Sequence, residues 1–259
     1  MVIRLFEMFA GYGGASFALK KAGVPFKGVG YSEIKKAAIK CYEINHSGVP
    51  NYGDCTLIEP DKLPDFDLLC GGFPCQTFSM AGKRAGFEDA RGTLFNEIIR
   101  IASIKKPKFM LLENVEGLLI HDDRNSLRVI VHAIEKAGYY VIYKVLDSSE
   151  YGTPQTRRRL FFICRYSRPW GFNEFKWPEY FSFKRLSAVL ENDVSINYAV
   201  PLKTLKAAEK INWNNYWSNM LGLDSASCPT LICGACNQIL FKTETGVIRN
   251  LTPKECFRL

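Results

Sequence analysis

The chain has 259 residues, 47% of them hydrophobic, which is material for one large core and a smaller appended lobe. Its 34 Lys and Arg against 26 Asp and Glu leave a formal charge of +8, a balance that favours a polyanionic partner bound with salt-dependent affinity. No signal peptide is visible, apolar runs such as Leu160-Phe161-Phe162-Ile163-Cys164 are too short to span a bilayer, and nine cysteines, an odd number, fit a reducing compartment, so membrane-spanning and secreted classes are set aside and a cytoplasmic location is expected.

Residues 2–6 read as a strand, followed by the glycine turn Glu7-Met8-Phe9-Ala10-Gly11-Tyr12-Gly13-Gly14 and a helix over 15–22. A second apolar run, 26–31, ends at Ser32-Glu33, about 20 residues past the glycines, where a nucleotide-binding βαβ unit puts a carboxylate on ribose hydroxyls. The cofactor is therefore expected to carry a ribose. The glycine spacing is Gly11-x-Gly13-Gly14, however, and not the Gly-x-Gly-x-x-Gly of a dinucleotide site. Strand-like runs at 67–70, 109–112, 139–146 and 159–164 then alternate with helix-like stretches at 35–45, 94–105 and 127–137. Alternation of this kind predicts an α/β fold with a doubly wound, Rossmann-like sheet, here over residues 1–165.

Cys75 is placed unlike the other cysteines. It lies in Gly71-Gly72-Phe73-Pro74-Cys75-Gln76-Thr77-Phe78-Ser79, at the carboxyl end of a predicted central strand, where open α/β sheets hold their ligands. Most cysteines are buried structural thiols, but turn residues rather than apolar ones surround this one and mark it as a candidate nucleophile.

The ordered series of motifs closely resembles the cytosine carbon-5 DNA methyltransferases of bacteria and phages. Phe9 to Gly14 is similar to the family's first motif, Glu33 to its ribose-binding acid, Gly53-Asp54-Cys55 to the segment that meets adenine, and Gly71 to Ser79 to the catalytic motif. Arg91-Gly92-Thr93-Leu94-Phe95, Glu113-Asn114-Val115, Gln155-Thr156-Arg157-Arg158-Arg159 and the stretch from Arg249 to Leu259 continue the series in order. Glu7 stands where the family usually has Asp, and Cys55 where an aliphatic residue is usual. The resemblance implies a methyltransferase with S-adenosylmethionine as cofactor and duplex DNA as partner. It implies cofactor contacts at Phe9, Ala10, Gly11, Gly13, Glu33, Asp54, Cys55, Pro74 and Leu94.

Carbon 5 of cytosine is a poor nucleophile, and covalent catalysis supplies the missing electron density. On this reading the Cys75 thiolate adds to carbon 6, protonated Glu113 donates toward ring nitrogen 3, Arg159 holds the carbonyl oxygen, and Arg157 supports the loop and phosphates. Cys75 needs cationic neighbours or a helix amino end to ionise, whereas Glu113 needs desolvation to stay protonated. In an extended segment Arg157 and Arg159 share a side while Arg158 faces the other way. The base must leave the helical stack, which implies a closing loop. Residues 80–92 suit that role: Gly82, Gly86 and Gly92 give freedom, Lys83, Arg84 and Arg91 match phosphates, and Ser79 can donate to the DNA backbone.

From 166 to 248 the texture changes, and all four tryptophans fall there among scattered lysines. In the family this stretch is the target-recognition domain, smaller and irregular, and Cys228-Pro229-Thr230-Leu231 is similar to a family signature that places Thr230 at the DNA. Cys233 and Cys236 have a metal-like spacing, but no second close pair exists, so no metal is expected. His46, His121 and His132 are isolated and are assigned no role. Residues 249–259 are expected to begin the segment that returns to the catalytic domain, and the chain stops at Leu259, before the family's last motif. A second chain supplying that motif, a truncated or split non-catalytic DNA-binding fragment, and an RNA cytosine methyltransferase on the same scaffold remain alternatives to an enzyme active by itself.

Overall fold

The computed structural model describes residues 1–74, 94–171, 174–180, 185–201, 220–221, 225–231, 240–243 and 246–259. It divides into two compact units: Met1–Val145 with Arg159–Lys176, and Leu146–Arg158 with Trp177–Leu259.

The first unit is built on a six-stranded sheet. Its strands are β1 (Ile3–Met8), β2 (Phe26–Ser32), β3 (Leu68–Gly72), β4 (Phe109–Val115), β5 (Tyr139–Asp147) and, after the two-residue β6 (Gln155–Thr156) of the second unit, β7 (Arg158–Tyr166). They lie in the order β2-β1-β3-β4-β7-β5. The sheet-forming runs anticipated from periodicity are all strands, and the anticipated helices are α1 (Gly14–Lys21), α2 (Lys36–Asn45), α3 (Leu94–Lys105) and α4 (Asn125–Lys136). The chain leaves β1 toward β2, reaches the edge at an isolated parallel bridge between Tyr31 and Asn51, then crosses back to place β3 on the other side of β1. Crossovers of one hand in opposite directions put helices on both faces, which makes the sheet doubly wound.

Alternation along β1 shows the two faces. Phe6 and Met8 enter the main core with Phe95, Ile98, Ile101 and Ala102 of α3 and Leu127, Ile130 and Ile134 of α4, while Glu7 points the other way, toward α1 and α2. The apolar positions on α3 and α4 recur at helical spacing, so each helix buries one stripe. β1, β3 and β4 are parallel, and β7 runs antiparallel to β4 with Val115 opposite Arg159 and Glu113 opposite Phe161. The first residues of β7 therefore arrive beside the last residues of β4.

The second unit holds β6, β8 (Met220–Leu221), β9 (Cys228–Pro229), β10 (Leu240–Lys242), β11 (Ile248–Asn250) and α5 (Pro253–Arg258). Its core gathers Leu186, Val189, Leu221, Cys228, Phe241 and Leu251. Its extent differs from the composition-based boundaries in three ways. Residues 166–176 stay with the first unit, where the Trp170 ring packs against Phe109 and Phe175 and its Nε1 donates to the Tyr140 carbonyl at 3.2 Å. Leu146–Arg158 joins the second unit through pairing of β6 with β9. Residues 249–259 also belong to it: β11 pairs with β10, Leu251 enters its core, and Glu255, in a buried bidentate ion pair with Arg249, accepts from the Glu191 N–H at 2.8 Å.

Candidate functional site

At the carboxyl ends of β1 and β2 the backbone is shaped around the glycine turn. Phe9, Gly11 and Gly13 all have positive φ, 53°, 58° and 88°. Gly13 is required twice over: a Cβ there would lie 2.4 Å from Nε2 of His46, besides occupying a left-handed conformation. Ala10 is tied to the end of β2 by its N–H, which donates to the Ser32 carbonyl at 3.2 Å. Glu33 Oε2 accepts from the Gly11 N–H at 3.0 Å, and Oε1 accepts from the N–H groups of Ile34 and Lys35 at 2.9 Å. Asn51 brackets the same acid, donating to the Glu33 carbonyl at 3.1 Å and accepting from its N–H at 3.3 Å. The predicted acid and the predicted glycine turn thus meet through a direct hydrogen bond.

Glu7 has a different task. One oxygen accepts from the N–H groups of Ala15 and Ser16, and the other from the hydroxyls of Ser16 at 2.6 Å and Tyr42 at 2.8 Å. A buried carboxylate at the amino end of α1 satisfies its orphan donors and the helix dipole, and so fixes the turn that precedes it. Burial, reinforced by the Glu7 charge, pushes the Tyr42 phenol well above its ordinary value.

Asp54 accepts from the backbone and the hydroxyl of Thr56 at 2.9 and 2.8 Å, bonds that hold its carboxyl below the usual aspartate range. Cys55 turns its side chain into the core, where burial pushes the thiol up to about 11, and its carbonyl accepts from Arg100 at 3.0 Å. Any ligand contact at Cys55 therefore falls to backbone. Three exposed apolar residues accompany these polar groups: Tyr12, Ile34 at 66% exposure and Leu57 at 79%. Sequence reading passed over them. The signal was available in the dipeptide Glu33-Ile34, where a large aliphatic side chain directly follows an acid at a strand end.

A second group of residues gathers where β3, β4 and β7 meet. Gly72 lies opposite Glu113 in the β3–β4 register, and a Cβ at Gly72 would sit 3.0 Å from Glu113 Oε2, so glycine makes room for the carboxylate. Arg159 Nε lies 2.9 Å from Glu113 Oε1, with side-chain exposures of 17% and 31%. Glu113 is thus paired with a cation and partly open to solvent, and not desolvated as a protonated donor requires. The antiparallel entry of β7 is the reason. Asn114 is buried; its amide donates to the Phe73 carbonyl at 3.0 Å, and its oxygen accepts from the Val115 N–H at 2.8 Å. This side chain locks the chain leaving β3 to the end of β4.

Phe73 is buried against Phe95, at 5.1 Å between ring centroids, Pro74 follows half-buried, and Leu94 opens α3, also half-buried. Cys75, Ser79, Lys83, Arg84 and Arg91 lie outside the described residues, as do Cys233 and Cys236. Among the described thiols, burial pushes Cys70 and Cys164 far up and Cys228 up to about 12, the reverse of what a nucleophile needs.

In the second unit, the Arg157 N–H donates to Asp147 Oδ1 at 3.1 Å and the Arg157 carbonyl accepts from the Ser148 N–H at 3.1 Å. Thr230, half-buried, donates its hydroxyl to the Thr156 carbonyl at 2.7 Å.

Comparisons with known proteins agree on one family. Residues 3–259 match the family model described as C-5 cytosine-specific DNA methylase. The chain is 38% identical over 268 residues to the type II methyltransferase M.HaeII of Haemophilus aegyptius, covering 98% of this chain and 80% of that protein. It is 46% identical over 170 residues to the type II methyltransferase M.NgoBV of Neisseria gonorrhoeae, covering 61% of this chain and 40% of that protein. The chain thus spans only two-fifths of some of its curated relatives. Among solved structures, the S. pombe Dnmt2 methyltransferase aligns with a TM-score of 0.77 at 21% identity, over 98% of this chain and 85% of that one, a likeness of fold.

Proposed function

The chain belongs to the C-5 cytosine-specific DNA methylase family, and on that premise we propose that it transfers a methyl group from S-adenosylmethionine to carbon 5 of a cytosine turned out of duplex DNA. The observation that carries this reading is the Glu113–Arg159 pair, 2.9 Å apart, beside the end of β3 from which the chain leads through Pro74 to Cys75. A flipped cytosine presents a carbonyl oxygen next to ring nitrogen 3, and a guanidinium adjacent to a protonated carboxyl matches those two acceptors.

The residues then have distinct tasks. Arg159 donates to the cytosine carbonyl oxygen, and Glu113 delivers a proton to nitrogen 3. The Cys75 thiolate adds to carbon 6, and the electron pair displaced from the carbon 5–carbon 6 double bond makes carbon 5 nucleophilic. S-adenosylmethionine supplies, when bound, an electrophilic sulfonium methyl group. Loss of the carbon-5 proton restores the double bond, expels the thiolate, and returns the nitrogen-3 proton to Glu113. Asn114 keeps the Phe73 backbone, two residues before the thiol, fixed against the Glu113 strand.

The first group of residues fits the cofactor. Phe9, Ala10, Gly11 and Gly13 shape a turn that backbone-close binding requires, Glu33 retains lone pairs for ribose hydroxyls beyond its bonds to Gly11, Ile34 and Lys35, and Asp54 and Cys55 supply the next edge. Ile34 and Leu57 offer apolar faces for a purine ring. Pro74 and Leu94 flank residues 75–93, which include Cys75. Ser79, Lys83, Arg84 and Arg91 serve the DNA backbone in this reading.

The test is trapping on duplex DNA containing 5-fluorocytosine, whose fluorine cannot leave as the carbon-5 proton does. The expected result is a denaturant-stable adduct on Cys75 in the presence of S-adenosylmethionine, absent in Cys75→Ser. Methyl transfer that persists in Cys75→Ser would refute the mechanism.

A further inference from the structure

β2 lies at one edge of the sheet, and its outer side is met by a single step of parallel ladder. The Tyr31 N–H donates to the Pro50 carbonyl at 3.0 Å and the Tyr31 carbonyl accepts from the Tyr52 N–H at 2.7 Å, which sets Asn51 opposite Tyr31. Backbone groups alternate between the two sides of a strand, so those of Ser32 face β1, where the carbonyl accepts from Ala10, and those of Glu33 face outward again. The β1–β2 register itself ends at Met8 and Ser32. A second outer step would pair the Glu33 backbone with the Tyr52 carbonyl and the Asp54 N–H. The chain does not make that step, because Gly53 turns away with a φ of 67°.

The Asn51 side chain takes its place. Its Oδ1 accepts from the Glu33 N–H at 3.3 Å and its Nδ2 donates to the Glu33 carbonyl at 3.1 Å, so one amide supplies the acceptor and the donor that a neighbouring strand would. Oδ1 also accepts from the Gly53 N–H at 3.0 Å, while the Gly53 carbonyl accepts from the buried Ser32 hydroxyl at 2.7 Å. Gly53 is therefore held at both of its polar groups, directly before Asp54. One side chain thus joins two segments of the proposed cofactor site, Glu33-Ile34 and Gly53-Asp54.

We infer that Asn51 is a positioning residue for cofactor binding: its amide replaces the missing ladder step, fixes the Glu33 backbone, and so aims the carboxylate at the ribose hydroxyls. The inference rests on the methyltransferase reading and names what sets the geometry of its cofactor site. Asn51 is exposed, so the backbone groups that it releases on truncation can turn to water, and the fold survives the loss. Its removal therefore acts on the ligand more than on the protein.

The experiment measures binding of S-adenosylhomocysteine, the demethylated cofactor, by isothermal titration calorimetry to wild-type protein, Asn51→Ala, Glu33→Ala and the double variant, with the thermal midpoint and DNA affinity of each. Asn51→Ala is expected to raise the Kd about tenfold, the scale of one lost hydrogen bond to a charged group, with the DNA Kd unchanged within about twofold. In the Glu33→Ala background the same substitution is expected to raise the Kd by no more than about twofold, because the carboxylate that Asn51 aims is gone. A merely structural role would weaken binding equally in both backgrounds. Asn51→Asp keeps an acceptor for the Glu33 and Gly53 N–H groups and is expected to fall between wild-type protein and Asn51→Ala; the same cycle with Asn51→Asp replaces the first if Asn51→Ala folds poorly. An unchanged Kd in Asn51→Ala, or an equal loss with and without Glu33, would overturn the inference. If wild-type protein bound no S-adenosylhomocysteine, the cofactor reading itself would fall, and this inference with it.

Discussion

Two arginine–glutamate pairs, one in each unit, differ in burial and in what their carboxyl groups hold together. Glu255 is fully buried, and both of its oxygens are used twice: Oε1 accepts from Arg249 and the Glu191 N–H, and Oε2 from Arg249 and the Thr252 N–H. Burial alone would raise this carboxyl, yet the bonds to Arg249, Glu191 and Thr252 outweigh it and hold the group below the ordinary glutamate value. Thr252 completes a capping box with Glu255 at the start of α5, so the pair closes a helix end and anchors it to the core. The Glu113–Arg159 pair instead lies at strand ends, with 31% of the Glu113 side chain still accessible. A half-buried pair is partly screened by solvent and contributes less stability than a fully buried one, which is costly to break. The difference in burial therefore predicts a division of labour.

Glu113→Gln should show the largest effect, a fall of about 10²- to 10⁴-fold in methyl transfer through loss of the proton donor, while stability in urea changes by no more than about 1 kcal/mol. A large stability loss would erase the contrast. Glu255→Ala should do the opposite, leaving Arg249 charged and buried without its partner at a cost of about 3–5 kcal/mol, read as a lowered denaturation midpoint of the second unit. If the midpoint held, the buried pair would not be the support its geometry indicates. Asn114→Ala should fall between these, depriving the Phe73 carbonyl of its donor at about 1–3 kcal/mol, with a fall in transfer rate that exceeds any change in DNA affinity.

The smallest effect concerns acid. Asp67 is held well below the aspartate range, first by its hydrogen bond with the Arg4 side chain, and Lys108 adds to it. A carboxyl lowered by folding contributes stability above its unfolded value and loses it as pH falls through the folded value. Asp67→Asn should accordingly lower stability slightly at neutral pH and leave strongly acid pH nearly unchanged, so that the acid limb of the stability profile flattens. An unchanged acid limb would show that exposure of Arg4 screens the pair.

Much of the first unit was legible because its signals are local. Strand runs, helix stripes and the glycine turn depend on residues within a few positions of one another, and the observed elements begin and end within a few residues of those runs. The acid Glu33 was likewise legible, since its distance from the glycines follows from a strand–helix–strand repeat. Residues 166–176 cluster with the first unit, where Trp170 packs on Phe109 of the sheet, a contact that tryptophan content alone does not disclose. The role of Glu7 was not legible at all: its four donors come from residues 15, 16 and 42, and only the sheet and two helices together bring them to one carboxylate.

The sequence by itself determined the family, the order of elements and the glycine turn with Glu33 beside it, and it named Cys75 as the nucleophile to test. Tertiary structure alone decided which arginine stands beside Glu113, because that depends on β7 running antiparallel to β4. It also decided that Asn114 reaches Phe73 across 41 residues, and that the Thr230 hydroxyl reaches a carbonyl 74 residues away. The physical reason is that backbone propensity is encoded in neighbours along the chain, whereas the partner of a polar group is fixed only when packing brings distant segments within about 3 Å.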